Sequence, residues 1–198
     1  MHSPRSCALT SSLFSSTVLC NRTDSHQKSY NIPMKNSDEY FMEIALQEAQ
    51  RAFLEDEVPV GACVVFEGKV IAQAHNRRER TQNPLLHAEI EAIEKASTAL
   101  QRWRLNECTL YVTLEPCLMC AGAIIQARIK RLVFGAPDPK GGVVQSRLEV
   151  FALPFFNHKV EVTGGILAER CSQILREYFK IKRGEVAELD EGARLEIE

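Results

Sequence analysis

Hydrophobic residues recur at two different spacings along this chain. In residues 38–54 they lie three to five positions apart, at Phe41, Ile44, Ala49 and Phe53, which predicts an amphipathic helix with one buried face. Further on, the segment VPVGACVVFEGKVIAQAHN consists of two β-rich runs separated by a Glu-Gly pair. Such a pair between two β-rich runs is typical of a hairpin turn.

Strands and helices then alternate to the end of the patterned region. The predicted elements are a polar loop over 77–84, a helix over 86–100, a buried strand over 108–114, a helix over 117–128, a strand over 131–135, a short strand over 159–163 and a helix over 166–183. A hairpin followed by alternating strands and helices predicts an α/β fold, a three-layer α/β/α sandwich around a mixed five-stranded sheet.

The composition divides the chain into three parts. Residues 1–36 contain eight serines and one acid, which predicts a disordered or leader-like extension. Residues 37–183 are expected to form one globular domain, and residues 184–198 an acidic, flexible tail. Because the chain contains no run of eighteen apolar residues, we expect no membrane partner and a cytoplasmic location, or an organellar one if residues 1–36 are a transit peptide.

Charge and cysteine content limit which partners and which cellular compartment fit this chain. The net charge is −2, yet residues 185–198 hold six acids and one base, so the rest of the chain is slightly basic. Basic clusters at 77–80, 128–131 and 180–183 are either solvated faces or, if several converge on one pocket, an RNA-binding surface. Seven irregularly spaced cysteines predict metal ligands or free thiols in a reducing compartment, not a disulfide framework.

Three potential metal ligands stand at the starts of two predicted helices. Cys117 and Cys120 form a C-x-x-C pair directly after a buried strand, and His87 occupies the comparable position of the preceding helix. Residues i and i+3 of a helix share one face, and the first turn favours the thiolate that binds zinc. A structural zinc needs a fourth protein ligand, whereas a catalytic zinc keeps that position for water. The candidates for a fourth ligand, none of them paired at ligand spacing, are His75, Cys108 and His158.

Glu89, two residues after His87, favours a catalytic zinc site over a structural one. The H-x-E spacing is too short for the carboxylate to be a convenient fellow ligand, but it suits a group that takes a proton from zinc-activated water. H-x-E followed by P-C-x-x-C is the signature of zinc-dependent nucleobase deaminases. The expected chemistry is hydrolytic deamination, in which Glu89 moves protons from the water to the base and to the departing amine.

The resemblance extends well beyond that signature. The segments EVPVGA (57–62), HN (75–76), HAEI (87–90), TLYVTLEPCLMCAGAII (109–125), VFGA (133–136) and NHKVEVTGGIL (157–167) are together similar to the bacterial tRNA-specific adenosine deaminases, over roughly residues 38–183. The resemblance implies a cytidine deaminase-like fold, one zinc ion per subunit and a homodimer. It also implies conversion of adenosine to inosine at the wobble position of a tRNA anticodon stem-loop, that of an arginine tRNA.

The same resemblance assigns roles to individual residues. It makes His87, Cys117 and Cys120 the zinc ligands and Glu89 the proton shuttle. The residues that it places against the substrate are Asn76 on the flipped base, Asp138 on the substrate nucleotides, Val58 in the base pocket, and Phe179, with Tyr178, Arg183 and residues 84–86, on the anticodon loop. Since a stacked base is out of reach, the nucleotide has to be splayed from a single-stranded loop, and the basic clusters at 77–80 and in the last helix are expected to contact phosphates.

Structural roles and other functions stay open at this stage. Asn76 can simply end a strand, Asp138 can belong to an ordinary turn between two prolines, and Phe179 and Val58 can be packing residues. A guanine or cytosine-nucleoside deaminase would carry a similar zinc motif. A non-catalytic, zinc-stabilised RNA-binding subunit would keep the zinc ligands but would not need Glu89.

Overall fold

The computed structural model describes residues 36–185. The extension predicted over 1–36 and the tail predicted over 184–198 lie outside the described residues, apart from their inner ends. The helices are α1 (Asp38–Leu54), α2 (Arg78–Thr81), α3 (Ala88–Leu100), α4 (Leu118–Gln126) and α5 (Ala168–Lys182). The strands are β1 (Gly61–Phe66), β2 (Lys69–His75), β3 (Thr109–Leu114), β4 (Arg131–Ala136) and β5 (Glu161–Gly164). Among these residues, no helix is both long enough and apolar enough to cross a membrane.

The five strands form one mixed sheet in the order β2-β1-β3-β4-β5. β1 pairs antiparallel with β2 and with β3, whereas β3, β4 and β5 run parallel. Glu67 and Gly68, which join β1 to β2, have φ angles of 48° and 71°. A two-residue hairpin turn with positive φ at both positions matches the right-handed twist of the flanking strands. The predicted hairpin and the predicted mixed five-stranded sheet are confirmed.

Helices cover both faces of the sheet because the central strands carry apolar side chains on both faces. In β3, Leu110 and Val112 belong to the core that α3 and α4 cover, and Tyr111 between them belongs to the core beneath α1 and α5. Successive side chains of a strand point to opposite faces, so one continuous apolar run supplies two cores. The result is the predicted three-layer α/β/α sandwich.

Helix α1 is capped and joined to the sheet at its first turn. The Ser37 hydroxyl accepts a hydrogen bond from the Tyr40 N–H at 3.1 Å, which satisfies one of the free donors of the helix start. The Asp38 carboxylate accepts two hydrogen bonds from the Arg131 guanidinium, at 2.8 and 2.7 Å, and one from the Tyr111 hydroxyl at 2.9 Å. These contacts tie α1 to the amino end of β4.

Two features differ from the sequence prediction. The segment predicted as a polar loop over 77–84 contains the one-turn helix α2, and the N–H groups of Glu79 and Arg80 in it donate to the carboxylate of Glu57. Polarity along the chain does not show this distant partner, so the loop prediction was wrong there. Helices α3 and α4 begin one or two residues later than predicted, because His87 and Cys117 have extended backbone conformations as N-caps.

The contact between His75 and Glu48 makes part of the stability depend on pH. His75 Nδ1 lies 2.9 Å from a Glu48 carboxylate oxygen, and this hydrogen bond raises the pKa of His75 although burial opposes the shift. A histidine with a raised folded-state pKa stabilises the fold below its unfolded pKa of about 6.5, and that contribution is lost as the pH rises through the folded value.

We therefore expect the free energy of unfolding of the wild-type protein to fall as the pH rises above about 6.5, and to fall less in a His75→Gln variant. Glutamine retains a donor for Glu48 but does not titrate. Urea denaturation of both zinc-saturated proteins from about pH 6 to 9 measures the difference. Identical pH profiles for the two proteins would contradict the prediction.

Candidate active site

The residues that carry chemistry converge at one edge of the sheet. The start of β1, the carboxyl ends of β2, β3 and β4, and the starts of α3 and α4 all contribute to a cleft there. Open α/β sheets bind their ligands outside the carboxyl ends of strands. The cleft is partly open to solvent, and its volume is about 150 Å³. It is lined by Val58, Val60, Asn76, Arg78, His87, Ala88, Glu89, Leu114, Glu115, Cys117 and Asp138.

Three side chains at this edge form a donor set that fits zinc. His87 Nδ1 lies 3.7 Å from Cys117 Sγ and 3.6 Å from Cys120 Sγ, and all three atoms are within 4.8 Å of one another. A tetrahedral zinc with Zn–S of about 2.3 Å and Zn–N of about 2.0 Å holds sulfur and nitrogen ligands about 3.6 Å apart. Within residues 36–185 the cluster contains no fourth donor at this distance, as expected of a catalytic site and not of a structural one.

The position of these donors at helix starts favours anionic sulfur. His87 and Cys117 are the N-caps of α3 and α4, and Cys120 follows in the first turn of α4. Hydrogen bonds with Cys120 and with His87 lower the pKa of Cys117 to about 3, whereas its hydrogen bond with Cys117 and burial raise the pKa of Cys120, so the negative charge of the pair is favoured on Cys117. The free N–H groups of a helix start add further stabilisation for negative charge.

The Glu89 carboxyl is buried beside the three donors. Glu89 is 4% exposed, and its Oε2 atom has no hydrogen-bond partner among the described residues. Burial raises the pKa of Glu89 because desolvation penalises the carboxylate. A buried acceptor normally has a partner, and a carboxyl with a raised pKa is suited to exchanging protons at neutral pH. Glu89 is therefore placed to move protons at the cleft wall.

Proteins of known activity share this fold and much of this sequence. A family model described as MafB19-like deaminase matches residues 35–183. The tRNA-specific adenosine deaminase of Bacillus subtilis (strain 168) is 47% identical over 143 residues, which are 72% of this chain and 89% of that protein. A structure from studies of A-to-I editing by tRNA:A34 deaminases at the wobble position of transfer RNA is 48% identical, covers 69% of this chain and 99% of its own, and has a TM-score of 0.67. The chain belongs to the tRNA-specific adenosine deaminase family.

The fold of this deaminase also occurs in an enzyme that acts on a free base. The guanine deaminase from Nitrosomonas europaea is 27% identical, covers 72% of this chain and 84% of its own, and has a TM-score of 0.61. The lower identity separates it from the tRNA-specific enzymes, although the architecture is shared. The family membership and the cytidine deaminase-like fold predicted from the sequence are confirmed.

Three of the residues predicted to contact substrate reach the cleft of the deaminase. Val58, Asn76 and Asp138 line it together with Glu89. Phe179 is not among the lining residues: it is 42% exposed on α5, and its ring packs edge-on against Tyr178 with 5.4 Å between the ring centroids. The alternative in which Phe179 is a core residue is wrong, since this side chain is not buried, and its contact with the anticodon loop stays a prediction.

All three arginines of the predicted RNA-binding cluster at 77–80 make ion pairs. Arg77 donates two hydrogen bonds to Glu91, at 2.6 and 3.0 Å, and Arg80 donates one to Glu55 at 2.7 Å. Arg78 lines the cleft, half-exposed, and donates a hydrogen bond to the neighbouring Glu79 at 3.3 Å. Arg78 is the member of the cluster that reaches the cleft, and the phosphate contacts expected of the cluster stay a prediction.

Glu115, which is not among the residues predicted from the sequence, holds the loop that carries Asp138. Its buried carboxylate accepts hydrogen bonds from the N–H groups of Asp138, Val144, Gln145 and Ser146, at 2.7–3.0 Å, and from the Ser146 hydroxyl. Burial raises the pKa of Glu115, but these hydrogen bonds outweigh it, so the pKa lies below its usual value. A Cβ on Gly142 would lie 2.4 Å from the Glu115 carboxyl carbon, so this loop requires glycine there.

Glu57 is a second buried carboxylate behind the cleft, and it accepts a hydrogen bond from the Asn76 side chain. The sequence contains a signal for both acids. Glu57 opens the apolar segment EVPVGA, and Glu115 lies directly after the apolar strand β3. An acid within an apolar segment indicates a buried carboxylate with several donors, since an unpaired one would be costly.

Proposed function

We propose that this chain is a tRNA-specific adenosine deaminase, which hydrolyses the amine of the wobble adenosine of a tRNA anticodon to give inosine and ammonia. The observation that carries the chemistry is the cleft in which His87, Cys117 and Cys120 stand beside the buried carboxyl of Glu89. The choice of substrate is supported by the relatives. Identity is 47–48% to proteins named for tRNA adenosine deamination and 27% to the guanine deaminase.

In this proposal His87 Nδ1 and the sulfurs of Cys117 and Cys120 hold one zinc ion per chain. Zinc, when bound, acidifies water and so supplies the nucleophile. Glu89 accepts the proton that the water loses and delivers it to a nitrogen of the adenine ring. Glu89 then transfers a second proton to the amine as water oxygen replaces it at C6, so adenosine and water give inosine and ammonia.

The remaining cleft residues hold the base and its nucleotide. Asn76 offers amide hydrogen-bonding groups to the base edge, and Val58 supplies an apolar wall. Asp138 contacts the nucleotide from the loop that Glu115 organises. The target base has to leave its stack to enter the cleft, which is easiest in a single-stranded anticodon loop. Phe179 and the end of α5 lie outside the cleft, where they are free to contact more distant nucleotides of the same loop.

Further assignments concern the partner, the assembly and the compartment. We propose an arginine tRNA as the substrate, on the sequence resemblance. We propose a homodimer on the same resemblance, and the exposed apolar side chains of Leu118 and Phe155 are candidates for its interface. None of the five cysteines of the described residues forms a disulfide, which suits a cytoplasmic, reducing location.

Arg78 gives the RNA assignment a testable electrostatic signature. We expect Arg78→Ala to raise KM for an anticodon stem-loop severalfold and to leave kcat almost unchanged. Because one phosphate contact is lost, the slope of the logarithm of the RNA-binding constant against the logarithm of the salt concentration is expected to decrease in magnitude by about one. Arg80→Ala, on the same helix but not lining the cleft, is the matched control and is expected to keep the wild-type slope. An unchanged salt slope in Arg78→Ala would contradict the phosphate contact.

A comparison of substrates tests the proposed function against its alternatives. The zinc-loaded protein is incubated with an anticodon stem-loop, guanine and cytidine in separate reactions, and ammonia release is measured in each. We expect rapid release from the RNA alone. Rapid release from guanine or cytidine, without release from the RNA, would establish a small-molecule deaminase. Tight RNA binding with no release from any substrate would indicate the non-catalytic subunit.

A further inference from the structure

Glu57 is a buried charged residue that the proposed chemistry does not use. It is 0% exposed, between the end of α1 and the start of β1, and its own N–H donates to the Ala52 carbonyl at 2.9 Å. Burying a carboxylate is costly unless donors surround it. Glu57 has three such donors, and all of them belong to the segment that forms one wall of the cleft: the Asn76 side-chain amide and the N–H groups of Glu79 and Arg80.

The first contact determines the orientation of the Asn76 amide. Asn76 Nδ2 donates to Glu57 Oε2 at 3.1 Å, and Asn76 is itself 7% exposed at the cleft wall. A flipped amide would bring its oxygen against the carboxylate, which repels it, so Glu57 permits one of the two amide orientations. Within residues 36–185, Asn76 Oδ1 accepts no hydrogen bond from a protein group, which leaves this oxygen for a ligand.

The other two contacts hold the helix that carries Arg78. The N-cap of α2 is Arg77, whose side chain makes no capping hydrogen bond. Glu57 takes over this role from across the fold, since its two oxygens accept from Glu79 N at 3.1 Å and from Arg80 N at 2.6 Å. A carboxylate at the start of a helix satisfies free N–H donors. The buried side chain of Glu57 thus fixes both the side-chain amide of Asn76 and the backbone of α2.

We propose that Glu57 is a positioning residue for substrate binding, which fixes the Asn76 amide and the first turn of α2 before the base enters the cleft. This inference rests on the proposed function, because it gives Asn76 a base to contact. Groups that are held in place before binding do not have to be ordered by the substrate, so such a residue acts mainly on binding and alignment of the base.

The test is Glu57→Gln, which preserves size but replaces one acceptor oxygen with a donor. Three N–H groups then face one acceptor oxygen, and Asn76 is free to flip. We expect kcat/KM for the anticodon stem-loop to fall about tenfold to a hundredfold, mainly through KM, with one zinc still bound per chain. In an Asn76→Ala background, Glu57→Gln is expected to cost less than it does in the wild-type protein, because the amide that it positions is already absent and only its contacts with α2 remain to be lost.

Asp38→Asn is the matched control, because the Asp38 carboxylate also accepts three hydrogen bonds but lies at the amino end of β4, away from the cleft. It is expected to lower the unfolding temperature and to leave KM unchanged. If Glu57→Gln fails to fold, Glu57→Asp takes its place, since it keeps the charge but shortens the side chain. It is then compared, alone and combined with Asn76→Ala, in the same way.

The outcomes separate the inference from the function beneath it. A larger KM in the Glu57 variant alone, with losses that do not multiply in the double variant, supports the inference. Normal KM in the Glu57 variant, or losses that multiply fully with those of Asn76→Ala, overturns it while leaving the deaminase assignment intact. Absence of inosine from both the wild-type and Asp38→Asn proteins overturns the proposed function, and the inference with it.

Discussion

Replacing Glu89 by glutamine is expected to abolish inosine formation in a protein that still folds and still holds zinc. Glutamine fills the same buried space but cannot accept a proton from water or deliver one to the base. General acid–base catalysis is worth about 10²–10⁴-fold, and Glu89 serves every proton transfer of the proposed reaction, so we expect a loss near the upper end of that range. Single-turnover rates on an anticodon stem-loop, with zinc content by elemental analysis, measure both parts of the prediction.

Glu91→Gln is the matched control for this variant. Glu91 is equally buried and lies on the same helix, but its carboxylate pairs with Arg77 and Lys95 and does not line the cleft. We expect it to lower stability and to keep most of the activity. Near-normal turnover by Glu89→Gln would show that another group moves the protons, and equal losses in the two variants would point to a general effect of removing a buried acid.

Removing a sulfur ligand is expected to have the second large effect, on zinc content, stability and activity together. Cys117→Ser weakens the donor set because an alcohol is a much poorer zinc ligand than a thiolate. A ligand that binds only the folded state at 100 times its Kd stabilises that state by about 2.7 kcal/mol, so the variant is expected to unfold at a lower temperature than the zinc-loaded wild type. Elemental analysis and thermal unfolding, each with and without a chelator, measure the effect.

The chelator distinguishes loss of zinc from loss of packing. It is expected to lower the unfolding temperature of the wild-type protein and to leave that of Cys117→Ser almost unchanged. Cys63→Ser provides the control, since Cys63 is buried on β1 and donates a hydrogen bond to the Phe41 carbonyl that serine can also make. We expect this control to keep one zinc ion per chain. Full zinc occupancy in Cys117→Ser would contradict the ligand assignment.

The sequence predicted the sheet and the grouping of His87 with Cys117 and Cys120 for the same physical reason. Cys117 follows an apolar strand and His87 precedes an amphipathic helix, so the topology determines the edge of the sheet at which these residues lie. The spacing of Cys117 and Cys120 within one helical turn then brings both sulfurs near His87. Local patterns are sufficient for features of this kind.

Contacts between distant side chains could not be predicted in that way. The one-turn helix α2 depends on Glu57, more than twenty residues earlier, and the ion pairs of Arg77 and Arg80 with Glu91 and Glu55 leave only part of a basic cluster at the cleft. The exposure of Phe179 similarly depends on how α5 packs, and not on its apolar character. These features require the assembled fold.

The most direct measurement is the identity of the base at position 34 after reaction. An anticodon stem-loop with adenosine at this position is incubated with the wild-type protein carrying one zinc ion per chain, digested to nucleosides, and analysed by mass spectrometry beside a guanosine-34 loop and the Glu89→Gln protein. We predict inosine from the adenosine-34 loop with an equal amount of ammonia, and none in either comparison. Unchanged adenosine at position 34 after incubation with fully zinc-loaded protein would contradict the assignment.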